Sequence, residues 1–429
     1  MSGKVWTCGL IALVFLPTAA GADWSPLPNA PATGSHEDVF FATPDVGWVV
    51  NGAGHINRTT DGGSSWQLQV DEPSYLRSVG FADTLKGWAG SLDGVPLLYA
   101  TTDGGATWTP VLDIPEPQPT GICGIWVVNE SVVYACGKYD GSSARVIKST
   151  DGGTTWTSQD LAPLANTLID CFFFDADHGF VVGAIGVGNA RRAVILGTTN
   201  GGAEWTTRHT TDRMAEWCWK ISFPTPLIGY VSIERFSGST YFLQTTDGGI
   251  TWQDRFFRDN FIVQGIGFAT PELGWIGGPT GPCYETTDGG ASWEPAGFGV
   301  HVNRFRFFGP PIGFAVGSTV YKYTTATGVA EAPSGSPPAL TLTQNHPNPF
   351  RGSTAIDFTL PRAADVRLSI YDLAGRRVAT LLDASRPPGS YQVEWDARDD
   401  RGRPVGAGVY WYRLTAGPEV RSHQLLVVR

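Results

Sequence analysis

Charge is scarce in this sequence: only 16% of its 429 residues are Asp, Glu, Lys or Arg, whereas 42% are hydrophobic and 12% aromatic. A chain so apolar is not a disordered tail and has side chains enough for a large core. Helix formers are short too, because 54 Gly and 30 Pro make nearly one residue in five a helix breaker, which excludes a helical bundle. Bases are outnumbered by acids, 30 to 40, for a net charge of −10. Wholesale nucleic-acid binding is thereby disfavoured, and only a local basic patch stays open.

Several chemical signatures are missing. The six Cys are scattered, with no CxxC zinc or redox pair, and the seven His form no HExxH. There is no GxSxG nucleophile motif and no phosphate loop ending in GK[ST]. Gly183-Ala184-Ile185-Gly186-Val187-Gly188 has the look of a dinucleotide loop, but it joins two strands with no helix after it. No metal or cofactor is expected.

One apolar run stands out, Val5 to Leu16, preceded by Lys4 and followed by Pro17 and the small residues Ala20-Gly21-Ala22. It fits a secretory signal over residues 1–22, with cleavage after Ala22. The run is shorter than the roughly 20 residues a membrane span needs, and no later segment qualifies. Without it 29 bases face 40 acids, a charge of −11. The expected localisation is secreted or at the cell surface of a bacterium. Export permits disulfides. Cys123 and Cys136 fall on adjacent antiparallel strands, and a register with Val127 opposite Val132 would also face the two Cys. A bridge or two buried thiols both fit.

Most of the chain is repetitive. TTDGGSSW at Thr59–Trp66 recurs as TTDGGATW at Thr101–Trp108, STDGGTTW at Ser149–Trp156, TTNGGAEW at Thr198–Trp205, TTDGGITW at Thr245–Trp252 and TTDGGASW at Thr286–Trp293. The Trp-to-Trp steps are 42, 48, 49, 47 and 41 residues, the length of a four-stranded propeller blade. Apolar runs ending in Gly-aromatic accompany the motifs: Gly47-Trp48, Gly87-Trp88, Gly179-Phe180, Gly229-Tyr230, Gly274-Trp275 and Gly313-Phe314, with Val133-Tyr134 in the third unit. The last pair belongs to a seventh unit, whose motif is worn to Thr324-Thr325-Ala326-Thr327-Gly328 and whose fourth strand is missing. Trp24-Ser25-Pro26-Leu27 reads like Trp108-Thr109-Pro110-Val111, so the beginning of the chain is expected to complete blade seven. Closure of this kind removes an open sheet edge.

Within T-x-D-G-G-x-x-W the carboxylate and hydroxyl bond inside a tight turn while the Gly pair supplies positive φ. The motif is identified as the Asp-box, or BNR, repeat. Asp61, Asp103, Asp151, Asn200, Asp247 and Asp288 therefore read as turn-holding residues. Over about residues 23–328 the whole unit resembles the photosystem II stability/assembly factor-like family of seven-bladed β-propellers. That resemblance implies a non-enzymatic scaffold whose arginine-rich surface holds a partner protein.

An enzyme must be weighed against it, because sialidases share the Asp-box. They need three arginines, a Tyr nucleophile with a Glu partner, and an acid, and the Phe-Arg-Ile-Pro element that carries the first arginine is absent. Two-domain Asp-box glucanases have a second propeller that this chain lacks. An extracellular glycoside hydrolase, which would need paired carboxylates about 5 to 9.5 Å apart, is the alternative reading.

The loops between second and third strands and those between blades share the face opposite the Asp-boxes. The longest are Ala184–Arg192, Glu234–Ser239 and His209–Glu216, and they gather Arg191, Arg192, Arg213 and Arg235, joined by Arg258 from the next connection. Such a basic rim suits an acidic peptide or polysaccharide, though solvated loop charge is the plainer reading. Trp217 and Trp219 alternate with Ile221 and Phe223 and so read as interblade core, with a sugar platform as the alternative.

Residues 329–340, VAEAPSGSPPAL, form a linker rich in Pro, Ser and Ala. The strands of residues 341–429 alternate in a way that indicates an immunoglobulin-like β-sandwich. Asn345-His346-Pro347-Asn348-Pro349-Phe350, Ile370-Tyr371-Asp372-Leu373-Ala374-Gly375-Arg376, Trp395-Asp396, Gly408-Val409-Tyr410-Trp411-Tyr412 and Val427-Val428-Arg429 resemble the FlgD-like Ig domain used as a type A sorting domain of the type IX secretion system. The resemblance implies engagement of secretion machinery and delivery to the surface or medium. Asp396 and Asp399 read as turn residues rather than cation ligands.

Overall fold

The computed structural model describes residues 23–427 apart from 73, 94–95, 138–143, 309–311, 325–339, 344, 346–349, 361, 373–375 and 418. The signal segment 1–22, nearly all of the linker, residues 325–328 of the worn motif, and 346–349, 373–375 and 428–429 of the C-terminal motifs lie outside the described residues.

Seven four-stranded antiparallel sheets follow one another along the chain. Their inner strands are His36–Phe41, Leu76–Phe81, Gly124–Val127, Thr167–Phe173, Glu216–Ser222, Gly265–Phe268 and Arg304–Phe307. Each inner strand touches the next, and that of blade seven touches that of blade one, so the ring is closed. The seal is Asp23–Pro26, which pairs antiparallel with Val320–Thr324 as the outer strand of blade seven. Trp24 is buried there, stacked on Phe298 at 4.9 Å and edge-on to Trp275 at 5.4 Å.

The Gly-aromatic pairs have a packing reason. Gly47 lies under the ring of Phe41 on the neighbouring strand, where a Cβ would come within 2.5 Å of the ring. The aromatic after the Gly then stacks on the inner-strand Phe of the next blade: Trp48 on Phe81 at 3.5 Å, Tyr230 on Phe268 at 3.5 Å, and, across the seal, Phe314 on Phe41 at 3.6 Å. Each stack buries a large ring, worth roughly 1.5–3 kcal/mol. Blade three has Val127 where most inner strands end in Phe, and Val133 opposite it takes the place of the Gly.

The Asp-box turns bond internally. In the first, Thr59 Oγ1 donates to Asp61 Oδ1 at 2.8 Å and accepts from the Gly63 amide at 2.9 Å, while the Ser65 amide and hydroxyl donate to the two Asp61 oxygens at 2.8 and 2.6 Å. Gly62 and Gly63 have φ of +69° and +90°, a conformation that side chains with a Cβ resist. Asp103, Asp151, Asp247 and Asp288 repeat this bonding, and Asn200 keeps it without the side-chain bond to the fourth position, which is Glu204. In all six boxes a Gly amide also donates to the carbonyl of the hairpin joining the first two strands of the same blade, as Gly62 does to Asp45 at 2.9 Å. The Asp-boxes therefore occupy one face, the lower, and the inner loops the other.

The C-terminal unit packs a three-stranded sheet (Thr341–Leu342, Thr354–Leu360, Gly389–Trp395) with a four-stranded one (Arg377–Arg386, Ala364–Tyr371, Gly408–Ala416, Glu419–Val427). Ile356, Phe358, Leu368, Trp395 and Leu414 fill the space between them. Asp399 accepts from Arg403 and Asp396 faces Arg398, so both acids serve turns.

Candidate functional site

Three residues before the aromatic or Val127 that closes each inner strand, the seven blades carry Asp38, Ser78, Gly124, Asp170, Lys220, Gly265 and Arg304. Ring closure brings this column together at the axis. Arg304 donates from Nη1 and Nη2 to Asp170 at 2.8 and 2.9 Å, and its Nε lies 3.0 Å from Asp38. Arg306 approaches Asp38 at 3.2 Å, and the amides of Val79 and Ile221 donate to Asp38 and Asp170. Burial opposes ionisation of both acids, but the Arg304 guanidinium outweighs it and holds them below the usual carboxylate range. Lys220 is fully buried among these charges, and burial, reinforced by Arg304, pushes its amine down to about 7.

Above this layer Arg77 of blade two pairs with Glu37 of blade one and stacks on Trp219 of blade five, 5.0 Å away. Blades two and five are not neighbours, so this contact spans the axis and closes the channel. Asn303 and the Tyr75 hydroxyl also donate to Glu37. Glu234 is buried beside Gln264, which donates to it at 2.6 Å, and burial raises its carboxyl to about 7.

From Trp219 an aromatic path leads outward through Trp217, at 6.5 Å, to Phe236, 5.5 Å further and 65% exposed. Arg191 lies over Trp217 at 5.0 Å. The expectation that both Trp pack between blades is corrected: a bulge between Cys218 and Ile221 breaks the alternation, so Cys218 and Ile221 enter the interblade core while the Trp rings face the mouth.

The five rim arginines fare differently. Arg213 donates to Asp254 at 2.6 Å, meets Glu216 at 3.1 Å and stacks on Tyr241 at 3.9 Å, so it braces blade five. Arg235 shares Glu216 at 3.9 Å. Arg258 stacks on Tyr284 at 4.3 Å, toward blade six. Arg191 and Arg192 make no ion pair among the described residues, and Arg192 is exposed at the start of its strand. Arg191, Arg213 and Arg235 thus meet around Glu216 and Trp217, and Arg258 stands apart.

Of the two readings for Cys123 and Cys136, the structure has the buried thiols rather than the bridge, for the hairpin register runs one residue away from the one that would face them. Cys136 faces Gly124, and Val127 faces Val133, so strand alternation sends the Cys123 side chain to the opposite face of the sheet.

Fold and site together define a seven-bladed Asp-box propeller, closed at its axis, followed by an immunoglobulin-like domain. The FlgD Ig-like domain family matches residues 346–418. Among curated proteins, the photosystem II assembly lipoprotein Ycf48 of Synechococcus sp. (strain CC9902) is 30% identical over 153 residues, 34% of this chain and 41% of that protein. The match therefore spans about two-fifths of the relative's length. A solved structure of YCF48 bound to D1 peptide superposes with a TM-score of 0.55 at 18% identity, covering 70% of this chain and 96% of the other. The GH74 xyloglucanase from Xanthomonas campestris gives 0.53 at 11% identity, covering 93% and 75%. These structural likenesses bear on the fold alone. The chain is thus similar in part of its propeller sequence to a photosystem II assembly factor, and its C-terminal residues 346–418 match the FlgD Ig-like domain.

Proposed function

We propose that this protein is an exported, non-catalytic scaffold that holds an acidic peptide segment of a partner protein on the upper face of blades four and five. The observation that carries the reading is the exposed Phe236 against the half-buried Trp217, with Arg191 over Trp217 and Arg192 exposed next to it in the chain, which offers an apolar anchor next to guanidinium groups that have no carboxylate partner among the described residues. Aromatic and Arg side chains are the usual anchors of protein interfaces, and guanidinium forks match carboxylates. The peptide-bound YCF48 structure lends support from a protein of like fold. The C-terminal domain would deliver the propeller to the cell surface or medium through secretion machinery.

Binding to a peptide array and to a glycan array tests the reading, with Phe236→Ala and Arg191→Ala as controls. Acidic peptides should bind and each substitution should weaken binding about tenfold. Unchanged binding by the double variant, or binding to glycans alone, refutes it. A hydrolase draws on one observation, the near-neutral carboxyl of Glu234 beside a mouth of aromatic side chains. Release of reducing ends from xyloglucan, abolished by Glu234→Gln, would favour that second reading.

A further inference from the structure

Cys136 lies on the second strand of blade three, Val133–Gly137, and Cys171 on the inner strand of blade four. Both enter one interblade core with Tyr134, Leu168, Phe173 and Val181, where they are 0% and 2% exposed. The two thiols are neighbours in this core, and the Cys171 sulfur is the foremost influence that raises the Cys136 thiol above its ordinary range. The juxtaposition is fixed from outside: two residues along each strand, Tyr134 stacks on Phe173 at 3.6 Å with planes 9° apart. The equivalent positions are Val50 and Val79 between blades one and two, and Val316 and Val39 between blades seven and one. Facing aliphatic side chains occupy this place at those interfaces, and facing thiols occupy it here.

We infer that Cys136 and Cys171 form a disulfide that staples blade three to blade four when the chain folds in the presence of a disulfide donor. One cysteine thiolate attacks the donor disulfide and expels a donor thiolate. The second attacks the mixed disulfide, closing the Cys136–Cys171 bond and expelling the other. In sum two thiols lose two protons and two electrons, and the donor is reduced to two thiols. The neighbouring Cys171 sulfur and burial keep the Cys136 thiol protonated in the finished interface, so exchange takes place as the two blades come together. Cys123 does not compete, because its side chain belongs to the other face of its sheet. The staple stands independently of the partner-binding reading.

The test is to refold the full chain in a glutathione redox buffer and in dithiothreitol, then to map tryptic peptides without reduction. Cleavage after Lys86, Lys138, Lys148 and Arg191 leaves Cys123 and Cys136 in one peptide and Cys171 in another. The expected result is a cross-link between these peptides that survives Cys123→Ala and disappears in Cys136→Val/Cys171→Val. The latter pair copies the Val pairs of the other interfaces and so should fold. The oxidised wild type should melt roughly 5 to 10 °C above the reduced one, and the double Val variant should show no such difference. Alkylation of all five mature cysteines in folded, oxidised protein, or a cross-link that persists in Cys136→Val, overturns the inference.

Discussion

Arg304 and Asp170 are 134 positions apart in the chain, yet the guanidinium meets both carboxylate oxygens at 2.8 and 2.9 Å. One residue belongs to blade seven and the other to blade four, so the pair ties together two halves of the ring.

Arg304→Ala would leave Asp38 and Asp170 buried with one of their main counter-charges gone. A loss of about 3–5 kcal/mol is expected, since stranding a buried charge costs more than the pair contributes. Denaturant unfolding measures it, and a midpoint within error of the wild type would contradict the axial clamp.

Lys220 has the opposite sign. Its amine falls from the usual 10.5 to about 7, so between these values the unfolded chain holds a proton that the native state lacks, and stability rises with pH across that window. Lys220→Met should stabilise the protein at pH 6 by about 1–4 kcal/mol and remove the rise. Destabilisation at pH 6 would mean that the amine supports the cluster.

Acid should loosen the lower face. Asp61, Asp103, Asp151 and Asp288 are held at about 2 by hydrogen bonds within their turns, led by the bonds from the residue four positions on. Their depressed values give stability that is present above the unfolded value of 3.8 and lost as the pH falls through about 2. Melting temperature followed from pH 5 to pH 2 should drop, and Asp103→Asn should flatten the drop. Identical acid profiles would contradict the assignment.

Trp24 carries the seal. Trp24→Ala removes a buried ring in contact with Trp275, Phe298 and Tyr323, and should cost about 3–5 kcal/mol. Deletion of Asp23–Pro26 should cost more, with faster proteolysis of blade seven. Limited proteolysis and calorimetry would register either effect.

Blade count, the position of the Asp-boxes and the sealing strand were legible because each rests on local chemistry that repeats: a Gly pair at positive φ, a hydroxyl two residues before its carboxylate, a Trp opening a strand. The axial cluster was not. Asp38, Asp170, Lys220 and Arg304 lie on four different inner strands, far apart in the chain, and become neighbours only when the ring closes. Aligning the repeats on the residue that closes each inner strand would have exposed the charged column. The arginine rim was half legible: topology assigned its face, but whether a guanidinium is tied down, as Arg213 is to Asp254, depends on side chains from other strands. The Cys123 side chain went astray through a register one residue out, which in a strand reverses the face.

Pairing of Asp23–Pro26 with Val320–Thr324 also sets a timetable. The earliest described segment has no place to dock until the ribosome has delivered the last blade, so six blades must wait half-assembled while synthesis runs on. A chain built this way stays an open arc until its final turn is made.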